Sequence, residues 1–448
     1  MAETGLILVA DTIRDTARPI TGALSDYNPL LDSIGDARFV LIGEASHGTR
    51  EFYRERATIT KRLIQEKDFT VVAVEADWPD AYRVNRYVRG INDDRDARTA
   101  LDGFKRFPSW MWRNTEVLAF VEWLRDYNMQ LPESGTQAGF YGLDLYSLYA
   151  SMEAVIDYLE EIDPEAARRA RIRYACFGAA DKDSKSYGYA TNFGLAASCE
   201  NEVISQLQEL QKKATDYISR DGRIAEDEFF YAEQNARLAW DAEKYYRSIY
   251  RGSVESWNIR DCHMARTLDE LVAHLDHYHE PTKAVVWAHN SHLGDARATS
   301  MGAEGGLNVG QLVREAHGQH VRNIGFTTYS GTVTAASNWD RPPERKHVRP
   351  ALADSYEALF HQTHPANFFL DLHANDQVVA SLQTPRLERA IGVVYLPHSE
   401  RRSHYFYAHL PEQFDIIIHL DHTHALEPLE PTASWQDNEV DETFPTGI

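Results

Sequence analysis

Phe39-Val-Leu-Ile-Gly43, followed at once by Glu44-Ala-Ser-His47, is the stretch that decides how this chain folds. An apolar run of strand length closes on a glycine, and the chemistry-bearing residues arrive immediately after it. Three other runs repeat the pattern. Thr70-Val-Val-Ala-Val74 meets Glu75, Gly139-Phe-Tyr-Gly-Leu143 meets Asp144, and Lys283-Ala-Val-Val-Trp-Ala288 meets His289-Asn-Ser-His292. Between the first two runs, Phe52, Arg56, Ile59 and Leu63 share one face of a helix predicted over 49–66. Alternation of strand and helix predicts an α/β fold with a mainly parallel central sheet flanked by helices. Ligands bind such sheets at the carboxyl ends of the strands, so Glu44, His47, Glu75, Asp144, His289 and His292 are expected to converge in one crevice.

Working outward, residues 5–35 read as one or two amphipathic helices, and 147–280 as long helical stretches with no convincing strand. The whole chain, 1–448, reads as a single domain, with an α/β core over 36–146 and 281–425 and a helical insertion or cap over 147–280. Later strands are predicted at 283–288, 321–327, 391–395 and 414–420. The segment 330–390 lacks long periodic stretches and is expected to line the cleft as loops, while the acidic tail 427–448 is expected to be flexible.

With 46 Lys and Arg against 68 Asp and Glu, the net charge of -22 argues against a nucleic-acid partner. Cys176, Cys199 and Cys262 are widely spaced and form no C-x-x-C pair, which supports neither a disulfide framework nor a thiolate zinc site. The first residues carry no basic n-region, and no apolar run approaches the roughly 18 residues of a membrane span. The expectation is a cytoplasmic protein with no membrane partner, its oligomeric state left open.

Glu44 and His47 lie three apart across a turn bracketed by Gly43 and Gly48. A carboxylate beside an imidazole raises its basicity, as a general base for water requires, although both residues could instead cap the following helix. Arg56 falls on the buried stripe and needs a carboxylate, for which Glu44 and Glu75 are the candidates. His289 and His292 complete the set, with Asp295 close enough in sequence to orient one of them. Arg260 shares a stripe with Trp257, Met264 and Leu271, and together with Asp144 and Trp110 it is a candidate substrate-binding residue. His422 and His424 sit at a strand end, and His274, His277 and His279 at the exposed end of a helix. No G-x-S-x-G elbow, phosphate loop or G-x-G-x-x-G is present. Water activated by histidine or by a metal remains. His47, Glu75, His289 and His292 contain the donors for zinc or another divalent ion, and the residues alone do not choose between these two routes.

The ordered motifs Leu41-Ile-Gly-Glu-Ala-Ser-His-Gly48, Val72-Ala-Val-Glu-Ala76, Tyr141-Gly-Leu-Asp-Leu-Tyr146, Trp257-Asn-Ile-Arg-Asp261 and Trp287-Ala-His-Asn-Ser-His292 resemble the erythromycin esterase family, which includes members labelled succinoglycan biosynthesis proteins. The resemblance runs from about residue 30 to 425. It implies an α/β core with a helical elaboration and hydrolysis of a macrolide lactone by activated water. By that resemblance His47 is the general base, Glu44 and Glu75 form the polar network around it, and Arg56, His289 and His292 take the remaining catalytic positions. A small-molecule ester or macrolide is the implied substrate. A shared site can serve another ester, or a metal- or cofactor-binding role without turnover.

Overall fold

The computed structural model of the protein describes residues 2–178, 183–219, 223–278 and 281–436. Its centre is an eight-stranded sheet. From edge to edge the strands run Arg18–Pro19, Asn367–Asp371, Ile416–Leu420, Val321–Thr327, Phe39–Ile42, Ala284–Trp287, Val71–Asp77 and Gly139–Asp144. The last six of these are parallel to one another, and the first two pair antiparallel at one edge. The protein therefore has the α/β fold expected, a mostly parallel sheet flanked by helices.

Strand composition explains why both faces are covered. Phe39, Leu41, Val71, Ala73, Ala284 and Val286 are fully buried on one face, against the helices of 148–276. Val40, Ile42, Val72, Val74, Val285 and Trp287 are buried on the other, against the helices Arg50–Lys67, Trp78–Val88 and Thr115–Gln130. Alternate residues of continuous apolar runs thus serve two cores, as a doubly covered parallel sheet requires. Burying each such Val or Leu is worth about 1.5–3 kcal/mol. The long helices Leu148–Ile162, Arg223–Ser248 and Ser253–Asp276 form the layer on the first face.

Several expectations are corrected. Residues 391–395 form no strand; Ile391 and Val394 make only single bridges, to Ser46 and Ala336. The pairing segments there are Arg386–Arg389 and Tyr405–Ala408. The segment 330–390 contains the strands Ser330–Ala335, Glu344–Val348 and Asn367–Asp371, and of its residues only Trp339 and Ala390 line the cleft. The tail is held as far as residue 436: Glu430 pairs with Arg98 and Arg113, and the indole N–H of Trp435 donates to Thr334 at 2.7 Å. The expectation for 437–448 lies outside the described residues. Cys176 and Cys199 form a disulfide with Cα atoms 5.9 Å apart. Packing of the helices Pro164–Tyr174 and Glu200–Lys212 brings together cysteines whose sequence spacing carries no signal. No described helix is long and apolar enough to cross a membrane.

Candidate active site

The strands Phe39–Ile42, Ala284–Trp287, Val71–Asp77 and Gly139–Asp144 are neighbours in that order, and their carboxyl ends form the floor of a cleft of about 420 Å³. That volume suits a small-molecule site. His47, Glu75, Asp144, Arg260, His289 and His292 line the floor, and Phe107, Trp112, Trp257, Trp339 and Phe406 contribute aromatic walls.

His47 enters through the turn after the first of these strands. Its Nδ1 lies 2.9 Å from Glu44 Oε1, and Arg56 Nη2 lies 2.9 Å from Glu44 Oε2. Glu44 and Arg56 are each 1% exposed. The Arg56 guanidinium also stacks over Tyr53 and Trp287, so it is buried on the helix stripe as its position implied, and it anchors Glu44 from behind. A glycine is required at residue 43 because a Cβ there would sit 2.2 Å from the Asn290 side-chain oxygen. With Glu44 accepting, Nδ1 of His47 carries the proton and Nε2 presents a lone pair to the cleft. That Nε2 is 3.9 Å from Glu75 Oε1, too far for a direct hydrogen bond and close enough for one water to touch both.

Glu75 is clamped from several sides. Its Oε1 accepts from Arg260 Nη2 at 2.6 Å and lies 3.4 Å from His292 Nε2; its Oε2 accepts from the His289 backbone N–H at 2.9 Å. Burial alone would raise its pKa, but His292, Arg260, His47 and the His289 N–H outweigh burial and hold the carboxyl well below the usual range. Arg260 also binds Asp144 through Nε at 2.9 Å and Nη2 at 2.7 Å. Burial raises Asp144 too, and the Arg260 charge more than reverses this.

His289 has a defined tautomer. Its Nδ1 accepts from the Ser291 backbone N–H at 3.2 Å and lies 2.8 Å from Ser291 Oγ. The proton of the neutral ring therefore sits on Nε2, which is buried near the Ala45 carbonyl without a well-aligned hydrogen bond. Burial, with His47 beside it, pushes this ring well below the ordinary imidazole range against a smaller opposing pull from Glu75. His289 is thus a neutral N–H donor, its ring centre 4.9 Å from that of His47.

A divalent ion does not fit the arrangement of His47, Glu75, His289 and His292. The Arg260 guanidinium stands 2.6 Å from Glu75 and 3.1 Å from His292 Nε2, a fixed cation among the donors, and His289 Nδ1 is committed to Ser291. Among the described residues no group of three or more His, Cys, Asp or Glu is placed to hold a metal.

A sequence model of the erythromycin esterase family matches residues 64–423. The chain belongs to the erythromycin esterase family. The matched span holds Glu75, Asp144, Arg260, His289 and His292, while Glu44, His47 and Arg56 precede it. Over 320 residues the chain is 28% identical to erythromycin esterase type II of Escherichia coli, covering 69% of this chain and 73% of that one. It is 25% identical to YbfO of Bacillus subtilis over 405 residues, covering 86% and 83%. A crystal structure of a Bacillus cereus protein shares the fold, with a TM-score of 0.78 at 22% identity, covering 95% of this chain and 99% of that chain.

Within this member of the erythromycin esterase family, some expected residues stand elsewhere. Trp110 is 2% exposed and does not line the cleft; its ring packs edge-on against Phe107, and its neighbours Met111 and Trp112 face the cavity instead. Asp295 binds Arg297 and Arg314, not a site histidine. His424 pairs with Glu51 and His422 with Ser330, both away from the cleft. His274 stacks on Phe230 and binds Asp227 rather than standing free; His277 is exposed and His279 lies outside the described residues. Three residues at the site were not anticipated. Asp261 holds His292 Nδ1 at 2.8 Å, and Asp77 and Asp80 line the cleft wall beside Arg106. The spacing of Trp257, Arg260 and Asp261 on one helix was a usable signal for the first. The run Glu75-Ala-Asp77-Trp-Pro-Asp80 was one for the others.

Proposed function

We propose that this chain hydrolyses the lactone ester of a macrolide, erythromycin being the leading candidate, with water activated by His47. One observation carries the chemistry: His47 is held by Glu44 with Nε2 free in the cleft, 3.9 Å from the Glu75 carboxylate. Family membership and the likeness to the Escherichia coli type II enzyme support the substrate class.

Water bridging His47 Nε2 and Glu75 Oε1 gives its proton to His47 as its oxygen attacks the ester carbonyl. The carbonyl electron pair moves onto oxygen, and the Nε2–H of the neutral His289 on the cleft floor donates to that developing charge. As the intermediate collapses, the alkoxide leaves with the bonding pair and takes the proton back from His47. The lactone becomes a hydroxy acid, and the ring returns neutral. Glu44 and Arg56 keep the tautomer throughout; Arg260 and His292 keep Glu75 ionised and in place.

The test is incubation of purified protein with a panel of macrolide lactones and simple alkyl esters, followed by mass spectrometry for gain of one water. His47→Ala, checked for folding by circular dichroism, is the control. Gain on macrolides that the control lacks supports the reading. Gain on alkyl esters alone refutes the macrolide, and turnover retained in His47→Ala refutes the base.

A further inference from the structure

The helix Ser253–Asp276 belongs to the helical layer, not to the sheet, yet it delivers two residues to the cleft, Trp257 and Arg260, and a third, Asp261, directly behind His292. Trp257, Arg260 and Asp261 stand three and four positions apart on one face. All three meet His292 or its neighbour Glu75. Trp257 stacks on the His292 ring with centroids 4.4 Å apart and planes 6° from parallel, and its own indole N–H is fixed to Leu307 O at 2.7 Å. Asp261 Oδ1 lies 2.8 Å from His292 Nδ1 and accepts the Val309 N–H at 3.1 Å. Arg260 Nη1 approaches His292 Nε2 at 3.1 Å while Nη2 binds Glu75.

Resting on the hydrolytic reading above, we propose that Asp261 is a positioning residue: it fixes the His292 ring so that its Nε2 edge, together with Arg260, sets the Glu75 carboxylate beside His47. Asp261 is fully buried and absent from the cleft lining, so it touches no substrate. A carboxylate is costly to bury, and its Oδ2 has no hydrogen-bond partner. Packing alone would be met by an apolar side chain. What only the acid supplies is negative charge on the Oδ1 acceptor, which holds the Nδ1 proton more strongly than a neutral acceptor would and leaves the opposite edge of the ring facing Glu75 Oε1, 3.4 Å away. Asp261 is to His292 what Glu44 is to His47, except that Glu44 comes from the same turn and Asp261 from another layer of the fold.

The groups facing Glu75 are Arg260 from the helix, His292 and the His289 N–H from the turn after one strand, His47 from the turn after another, and Asp144, bound to the same guanidinium. Asp261→Asn keeps shape and the Oδ1 acceptor that Val309 and His292 share, and removes only the charge. On an ester that the wild type hydrolyses, D261N should lower kcat roughly 10- to 100-fold with KM unchanged. In a His292→Gln background it should cost nothing further, because its only route to the reaction has gone. Wild-type kcat in D261N, or effects that multiply in the double variant, overturns the proposal. In parallel, carbon-13 NMR of Glu75 without substrate should show its carboxyl titrating higher in D261N than in the wild type. That shift in a chain that hydrolyses no ester refutes the hydrolytic reading and leaves the Asp261-to-Glu75 link standing; an unmoved titration refutes the link. If D261N does not fold, Asp261→Ser is read in the same way.

Discussion

Glu44→Gln tests the tautomer argument most directly. Glu44 accepts from the His47 Nδ1–H at 2.9 Å from Oε1 and forms an ion pair with the Arg56 guanidinium at 2.9 Å from Oε2, and only a carboxylate serves both. A carboxamide has one acceptor. Arg56, permanently charged and 1% exposed, takes the amide oxygen, which turns the NH₂ toward His47. His47 must then carry its proton on Nε2, and the lone pair facing the cleft is lost. General-base catalysis is worth about 10²–10⁴, and the carboxylate-to-amide change behind a catalytic histidine reaches about 10⁴. At about 1.36 kcal/mol per decade, the barrier rises by roughly 3–5.5 kcal/mol. KM should stay unchanged, since Glu44 is absent from the cleft lining. Stability should also fall by about 3–5 kcal/mol, as expected when a buried ion pair loses one partner. The Glu44→Gln/Arg56→Met double variant separates the two effects. Without Arg56 the amide oxygen turns to His47, so stability and part of kcat return together. The assay is steady-state hydrolysis alongside thermal melts of both variants. A Glu44→Gln enzyme with wild-type kcat, or a double variant that regains stability with no gain in kcat, refutes the reasoning.

His289→Ala removes the neutral N–H donor and should cost about 10²–10³ in kcat, measured at saturating substrate with folding checked by circular dichroism. Glu75→Gln strands Arg260 and His292 and should lower stability by about 3–5 kcal/mol near neutral pH. Because the Glu75 carboxyl is held below its ordinary value of 4.5, this contribution is complete above that pH and lost as pH falls below it. Calorimetry should therefore show the Tm gap between variant and wild type closing under acid. Gly43→Ala would push a methyl within 2.2 Å of Asn290 Oδ1, costing about 1–3 kcal/mol and lowering kcat by moving the adjacent His289, both readable in one melt and one rate assay. Burial, then Asp77, raises the Asp80 carboxyl to about 7 on the cleft wall. KM for a cationic ester should accordingly fall as pH rises through that value in the wild type and not in Asp80→Asn.

The parallel sheet and its crevice were legible because the strands are apolar on both faces and each ends abruptly in a polar residue, which leaves no doubt where the floor lies. Arg56 was legible because a guanidinium on an otherwise apolar stripe requires a buried partner. Trp110 misled because a run of aromatics does not say which ring turns inward; the short helical turn Ser109–Met111 rotates Trp110 into the core and sets Met111 and Trp112 on the cavity. Asp295 misled because nearness in sequence is not nearness of side chains. As the cap of a short turn it is spent on the Arg297 backbone N–H and guanidinium, whereas Asp261, 31 residues before His292, arrives from a packed helix. The Cys176–Cys199 pair and the strand at Tyr405–Ala408 depend on which elements pack together, which local periodicity does not encode.

The charges beneath the cleft explain why these residues belong to one device. Three carboxylates, Glu44, Glu75 and Asp144, face two guanidiniums, Arg56 and Arg260. Burial lowers the pKa of the His292 ring, but Asp261 and Glu75 more than reverse this and favour its imidazolium, whose pair with ionised Asp261 adds no net charge. Before reaction the cluster is therefore one positive charge short, in surroundings where water screens little. In the proposed reaction the charge that His47 gains on taking a proton from water is that missing one, placed 2.9 Å from Glu44 and 3.9 Å from Glu75. In the same proposed step the negative charge falls on the substrate, beside the neutral His289. Stabilisation is thus weighted toward the ion pair of the transition state and away from the uncharged ester and water that precede it, which is the condition for raising kcat and not merely tightening binding. The same imbalance explains why the fold tolerates Glu75 in its central sheet. An apolar residue there would pack better, but it would leave Arg260 unpaired and the His47 imidazolium without its second carboxylate.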